Sequence, residues 1–384
     1  MVFAVGLLAR AILIPITHGQ DFVVWDKASA ATLQGVNIYA HHPAYPGGPY
    51  AYFPLFLYIE LPFQWLAEHS AIPFTVLGKL PILVADVAVA ALLVAALSRQ
   101  GHGKNRVAAG AALFFLNPLV IYNSAFYGRF DSLGCALLLL ALNRITVERA
   151  VSWRGAFYYA LAVAAKTFPA FVVLGILRCG RRVQVRVVVA VAIVLAAVSL
   201  PYLGSLPAYL RDIVLYDAKK VPQALSWQRV FLHLTDAHGA RLLSYLCLAI
   251  FVVGALWLTR IGDLSTYTLL TLLLFILCSK VVLEQYLTWP IPWLILALWA
   301  ATATSRPDAE TLDAVEPSTV ARRGVSRASL ALLTVFTVIG MLVNPYVHPF
   351  GRSPEAAGYL LALSITAYLA LSLRRSRAAA VTSR

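Results

Sequence analysis

Apolar residues along this chain gather into blocks of roughly 15 to 25 positions separated by short polar stretches, the length at which a segment satisfies its own backbone as a helix in lipid. Strands are not expected. Met1 to Thr17 reads as a short first span, and a long polar stretch follows it. Further spans are expected at 72–98, 107–122, 131–143, 187–203, 240–259, 264–279, 283–301, 328–343 and 356–373. Block 155–177 is interrupted by Lys166-Thr167-Phe168-Pro169, which predicts two short helices meeting at a break, lining either the site or the core. Block 52–67 carries Pro54, Glu60, Pro62 and Gln64 in about 16 residues. It makes a poor span and a good interfacial or re-entrant segment.

Basic residues fix the expected orientation. The stretches Arg99 to Arg106, Arg144 to Arg154, Arg178 to Arg186 and the tail Arg374 to Arg384 are the richest in Arg and Lys, and the positive-inside rule puts all four in the cytoplasm. Parity then requires that 52–67 does not cross and that the broken block returns to its own side. The result is an all-α, polytopic integral membrane protein of about 12 membrane helices. It forms a single domain over 1–384, with a first outer loop at 18–72, a second at 204–239 and a cytoplasmic linker at 302–327. Within that linker 305–317 mixes Pro, Asp, Glu and Ala without period.

Composition agrees: 60% of the residues are hydrophobic and 12% charged, too apolar for a surface facing water. The net charge of +14 would suggest nucleic acid in a soluble chain. Here the cations sit between apolar blocks and read as topology and contact with anionic lipids, so no nucleic-acid partner is expected. The four cysteines are far apart and suggest neither a disulfide framework nor a zinc site. Arg10 in mid-block argues against a cleaved leader. Arg-rich, Ala-rich composition without an Asn-x-Ser/Thr sequon points to a bacterial inner membrane.

Candidate chemistry gathers on the outer face. Asp21 stands where a helix over 22–33 is expected to begin; it either caps that helix or serves as a base. Asp26 lies about 140° further round, as a second carboxylate or a solvated residue. His41 and His42 precede a Pro- and Gly-rich loop and lack a third metal ligand. Arg129 and Asp131 flank Phe130 at the outward end of a helix, where Arg129 could pair with Asp131 or with a phosphate. Lys219 and Lys220 beside Asp217 form either a solvated cluster or a phosphate clamp. Lys280 and Glu284, four apart, could pair on a helix or point into the site. Lys79 and Asp86 are intramembrane charges expected to be neutralised with Arg10 or Lys166.

Several stretches, in order, resemble one family: DFVVWDKASAATLQGVNIY followed by YAYFPL, GKLPILVAD, LNPLVIYNSAFYGRFDSL, YALAVAAKTFPAFVVL and SKVVLEQYLTWPIPW. Together they look like the multi-spanning glycosyltransferases of the GT-C fold, and within them GPI mannosyltransferase I and its bacterial relatives. The resemblance implies a polyprenyl-phosphate sugar donor, most simply mannose, a lipid-linked or glycan acceptor, an outward-facing site and no cofactor or metal. It matches Asp21 to the family's catalytic acid, with Asp26 as a possible second carboxylate. Where the family has another acid two residues earlier, this chain has Gly19. It also matches Lys219 and Lys220 to a basic pair in the family's long outer loop, and Lys280, Gln285 and Tyr286 to a Lys, Gln, Tyr pattern. From the residues themselves, Arg129 joins Lys219, Lys220 and Lys280 as a donor-phosphate candidate, and Tyr39, Asp131 and Glu284 join Gln285 and Tyr286 as substrate-binding candidates. The rival expectations are a lipid-linked-glycan flippase or transporter, with charges at the bilayer midplane and paired broken helices, and a noncatalytic subunit that survives loss of Asp21.

Overall fold

A computed structural model describes residues 2–16, 19–41, 49–148, 151–178, 184–216, 218, 220–300, 317–343 and 354–382. The expectations for His42, Asp217, Lys219 and most of the loop at 344–355 lie outside the described residues. Helices follow one another as α1 Val2–Leu13, α2 Gln20–Leu33, α3 Leu55–Glu68, α4 Phe74–Leu77, α5 Leu80–Arg99, α6 Lys104–Phe115, α7 Pro118–Ile121, α8 Asp131–Glu148 and α9 Trp153–Ala165. Then come α10 Val173–Leu177, α11 Val185–Ser199, α12 Leu206–Ile213, α13 Phe231–Leu234, α14 Ala237–Leu258, α15 Leu264–Cys278, α16 Ile291–Ala300, α17 Pro317–Leu342 and α18 Pro354–Thr382. The one departure from all-α among the described residues is a two-residue parallel pair, β1 Gln223–Ala224 with β2 Val281–Val282.

Four helical stretches among the described residues are long and apolar enough to cross a membrane, at 74–99, 185–213, 237–258 and 355–374. A fifth crossing follows if 104–115 and 118–126, bent by 45°, act as one. Others are shorter: Val2–Leu13 spans only about 18 Å at 1.5 Å per residue, against roughly 30 Å of hydrocarbon. The described residues carry a helical, polytopic membrane protein without fixing the number twelve.

Two expected boundaries change, and a third block takes a definite form. The outer loop at 204–239 is not a loop at its start: α11 runs through a 3-10 turn at Leu200–Ser205 into α12, where Tyr209, Asp212 and Ile213 are buried. Residues 317–327, assigned to the linker, open α17. Block 52–67 forms a single helix, α3, with Pro62 inside it. Its polar Glu60 and Gln64 face inward against α2, where Ser29 Oγ donates to Gln64 Oε1 at 3.3 Å.

The chain divides into two compact units. The first, 1–92 with 115–220, has an aromatic core built by α2, α3 and α12, including Phe22, Trp25, Tyr39, Phe56 and Phe130. In it α9 packs between α8 and α11. The expected break is present: α9 stops at Lys166, whose backbone is extended, and Pro169 falls in the 3-10 turn Phe168–Val172 that follows. The expected neutralisation is also found, since Arg10 Nε donates to Asp86 Oδ2 at 2.7 Å with both side chains fully buried. Arg10 also reaches the carbonyls of Gly6 and Phe115, and Ser132 Oγ donates to Asp86. Lys79 instead caps open carbonyls of Ile14 and Phe126.

The second unit, 93–114 with 221–384, holds the strand pair. Carbonyls left open as α15 ends are met from the facing turn: Trp227 Nε1 donates to Leu277 O, Gln228 Nε2 to Cys278 O and Ser226 Oγ to Ser279 O.

Candidate active site

The charged centre of the first unit is assembled by two turns. After α7, capped by Asn117 and opened by Pro118, the chain enters a π turn at Tyr122–Phe126, a feature often found at functional sites. It leaves that turn through Gly128, whose φ of +77° is in the left-handed region. A Cβ there would also lie 2.4 Å from the Phe22 ring, so glycine is required twice over. Beyond it Arg129 and Asp131 point to different partners.

Asp21 is not the cap of α2. That position is Gly19, with no side-chain cap, and Asp21 sits in the first turn, where the helix dipole favours a carboxylate. Its Oδ2 accepts from Arg129 Nε at 3.1 Å; Arg129 is 5% exposed and Asp21 34% exposed. The guanidinium lies over the Tyr127 ring at 3.8 Å, which fixes its plane. Asp21 is thus oriented from behind by a buried cation, with one edge open. A Cβ on Gly19 would lie 2.0 Å from the Tyr127 ring, so an acidic side chain at that position would have no room beside this tyrosine.

Asp131 opens α8 and takes Lys166, with Nζ to Oδ1 at 3.4 Å. The Lys166 ammonium lies over the rings of Phe130 at 4.2 Å and Tyr52 at 4.6 Å, with Asp21 and Arg129 within electrostatic range. Arg129 therefore serves Asp21, and Asp131 meets the lysine of the α9 break. Lys166 was legible as a buried charge at a break lining the site or the core, but not as the partner of Asp131. Its partner is 35 positions away, and no local spacing links the two.

The charge of Asp26 acts on Glu60 of α3. Glu60 is fully buried, and neither of its carboxyl oxygens has a hydrogen-bond partner among the described residues. Burial, and then the charge of Asp26, push its carboxyl well above the usual carboxylate range. Between that range and the raised value the folded protein keeps a proton that the unfolded chain releases, so stability falls as pH rises through the window. Glu60→Gln should raise the thermal midpoint at neutral pH and flatten its decline as pH rises above the ordinary carboxylate range. Unchanged slopes of midpoint against pH would show that Glu60 does not titrate there.

Tyr39 is enclosed by Tyr50, Tyr202 and Tyr209, and its hydroxyl donates to Tyr52 O at 2.6 Å. It supports the loop rather than presenting a free hydroxyl. Lys220 lies with Nζ 3.6 Å over the Tyr216 ring. In the second unit Lys280 and Glu284 do not share an α-helix, because Lys280 precedes β2 and Glu284 opens a 3-10 turn, Glu284–Thr288. The Lys280 carbonyl accepts from Gln223 N, and its ammonium lies over Tyr245 at 4.8 Å. Glu284 and Gln285 are buried, Gln285 Oε1 has no partner among the described residues, and Tyr286 stacks on Trp289 at 4.1 Å.

A family model described as Glycosyltransferase family 87 matches residues 50–283, well over half of the chain. No curated protein matches. Among solved structures, the crystal structure of ArnT from Cupriavidus metallidurans in the apo state is similar with a TM-score of 0.49 and 15% identity, over 97% of this chain and 76% of that one.

Proposed function

Because the chain belongs to glycosyltransferase family 87, we propose that it moves a sugar, most simply mannose, from a polyprenyl phosphate to a lipid-linked or glycan acceptor on the outer face of a bacterial inner membrane. The observation that carries this reading is the Asp21 carboxylate, partly exposed at a helix N-terminus and held by a buried Arg129.

A positioned carboxylate with one open edge suits the removal of a proton from an acceptor hydroxyl. The acceptor oxygen then attacks the anomeric carbon from the face opposite the phosphate, the carbon–oxygen bond to the phosphate breaks, and the sugar is transferred with inversion. Arg129 keeps Asp21 oriented toward the acceptor hydroxyl. Lys219, Lys220 and Lys280 are the further cations proposed for the headgroup phosphate, and Glu284, Gln285 and Tyr286 for the substrate. The GT-C resemblance, with its lateral entry of a lipid-linked donor, supports this division of roles.

The test is transfer by the purified protein from a panel of polyprenyl-phosphate sugars in lipid nanodiscs. Polyprenyl-phosphate mannose should be consumed with release of polyprenyl phosphate. Turnover of nucleotide sugars alone would replace the donor class, and turnover of another polyprenyl-phosphate sugar would replace mannose.

A further inference from the structure

Buried cations in the first unit are not alike. Arg10 is matched by a carboxylate and two carbonyls, though its Nη2 has no hydrogen-bond partner among the described residues, and Lys79 by two carbonyls. Lys166 is 4% exposed, yet its ammonium has no hydrogen-bond acceptor among the described residues. Its one ion-pair contact, to Asp131 at 3.4 Å, is longer than the roughly 2.7 to 2.9 Å of a charge-assisted hydrogen bond. Removing an ammonium from water costs several kcal/mol that a loose pair recovers poorly, so the position calls for another acceptor.

Its placement is fixed by the fold. The α9 break is pressed onto α8 at Gly134, where a Cβ would lie 3.0 Å from Lys166 Cβ and 2.8 Å from the Phe168 ring. Asp131 and Gly134 share one face of α8, so the helix that supplies the counter-ion also admits the lysine. Of the two rings on the ammonium, Phe130 is buried and Tyr52 partly exposed. A ligand would reach it from the Tyr52 side.

We propose that Lys166 binds the phosphate of the lipid-linked donor through a non-bridging oxygen, with Asp131 and the two rings holding the ammonium in place. The proposal rests on the transfer reaction above. In that step the bond from the anomeric carbon to the phosphate oxygen breaks with its electron pair left on the phosphate, the acceptor oxygen bonds the carbon, and the acceptor proton passes to Asp21. The phosphate changes from a diester with one negative charge to a monoester approaching two. A fixed ammonium therefore holds it more tightly as the bond breaks, which is the condition for lowering a barrier.

The rival role is simple neutralisation of Asp131, and the double variant Lys166→Met/Asp131→Asn separates the two because it removes both charges together. The readout is binding of farnesyl phosphate, with farnesol as the phosphate-free control, to protein in nanodiscs. The double variant should lose about 10- to 150-fold in affinity for farnesyl phosphate, the worth of one charge-assisted contact, with farnesol unaffected. Wild-type affinity in the double variant would overturn the role of Lys166 and leave the donor assignment standing. A wild-type protein that binds farnesyl phosphate no better than farnesol would overturn both.

Discussion

Asp21→Asn should lower sugar transfer by about 10²- to 10⁴-fold, the usual worth of a positioned general base, while leaving the protein folded. Asparagine keeps an oxygen that can accept from Arg129, so the loss in stability should be about 1 kcal/mol, from a charged contact replaced by a neutral one. Because Asp21 does not cap α2, no capping energy is lost with it. Initial rates and thermal midpoints on the same preparations check both halves. Asp26→Asn should be milder, since that side chain leaves α2 about 140° round from Asp21. Near-normal transfer in Asp21→Asn, with transfer lost in Asp26→Asn, would move the base to Asp26 and shift the motif alignment by a turn.

Asp86→Ala should have the largest effect on stability. It strands the Arg10 guanidinium at a fully buried position, and breaking one side of a buried pair costs about 3 to 5 kcal/mol. Against a total stability of roughly 5 to 15 kcal/mol for a folded domain, that is a large share. Loss of the monodisperse peak on size exclusion in detergent, or a steep fall in the thermal midpoint, would register it. Replacing both charges, Arg10→Met with Asp86→Leu, should recover much of the loss, because an apolar pair of similar volume needs no counter-ion. An Asp86→Ala protein as stable as the wild type would mean that water or lipid headgroups reach Arg10.

The membrane class, the helical build, the α9 break and the need of Asp86 for a buried cation follow from the sequence, because each reports a strong one-dimensional constraint. A run of apolar residues has few options in lipid, a Pro at a helix break removes a backbone donor, and a charge in such a run needs an opposite charge. The ordered motifs pointed to a glycosyltransferase, and the family match bears that out. Tertiary structure alone decided which charges meet. Asp21 looked like a cap and Arg129 a partner for Asp131, two residues on. The left-handed turn at Gly128 and the tight contact of Gly19 with Tyr127 send Arg129 to Asp21, 108 positions away. That leaves Asp131 to Lys166. Glu60 likewise looked like a residue keeping α3 out of the membrane, whereas packing on α2 turned it inward. Spacing along a chain ranks neighbours on one helix; pairing between helices depends on which faces the close contacts allow to touch.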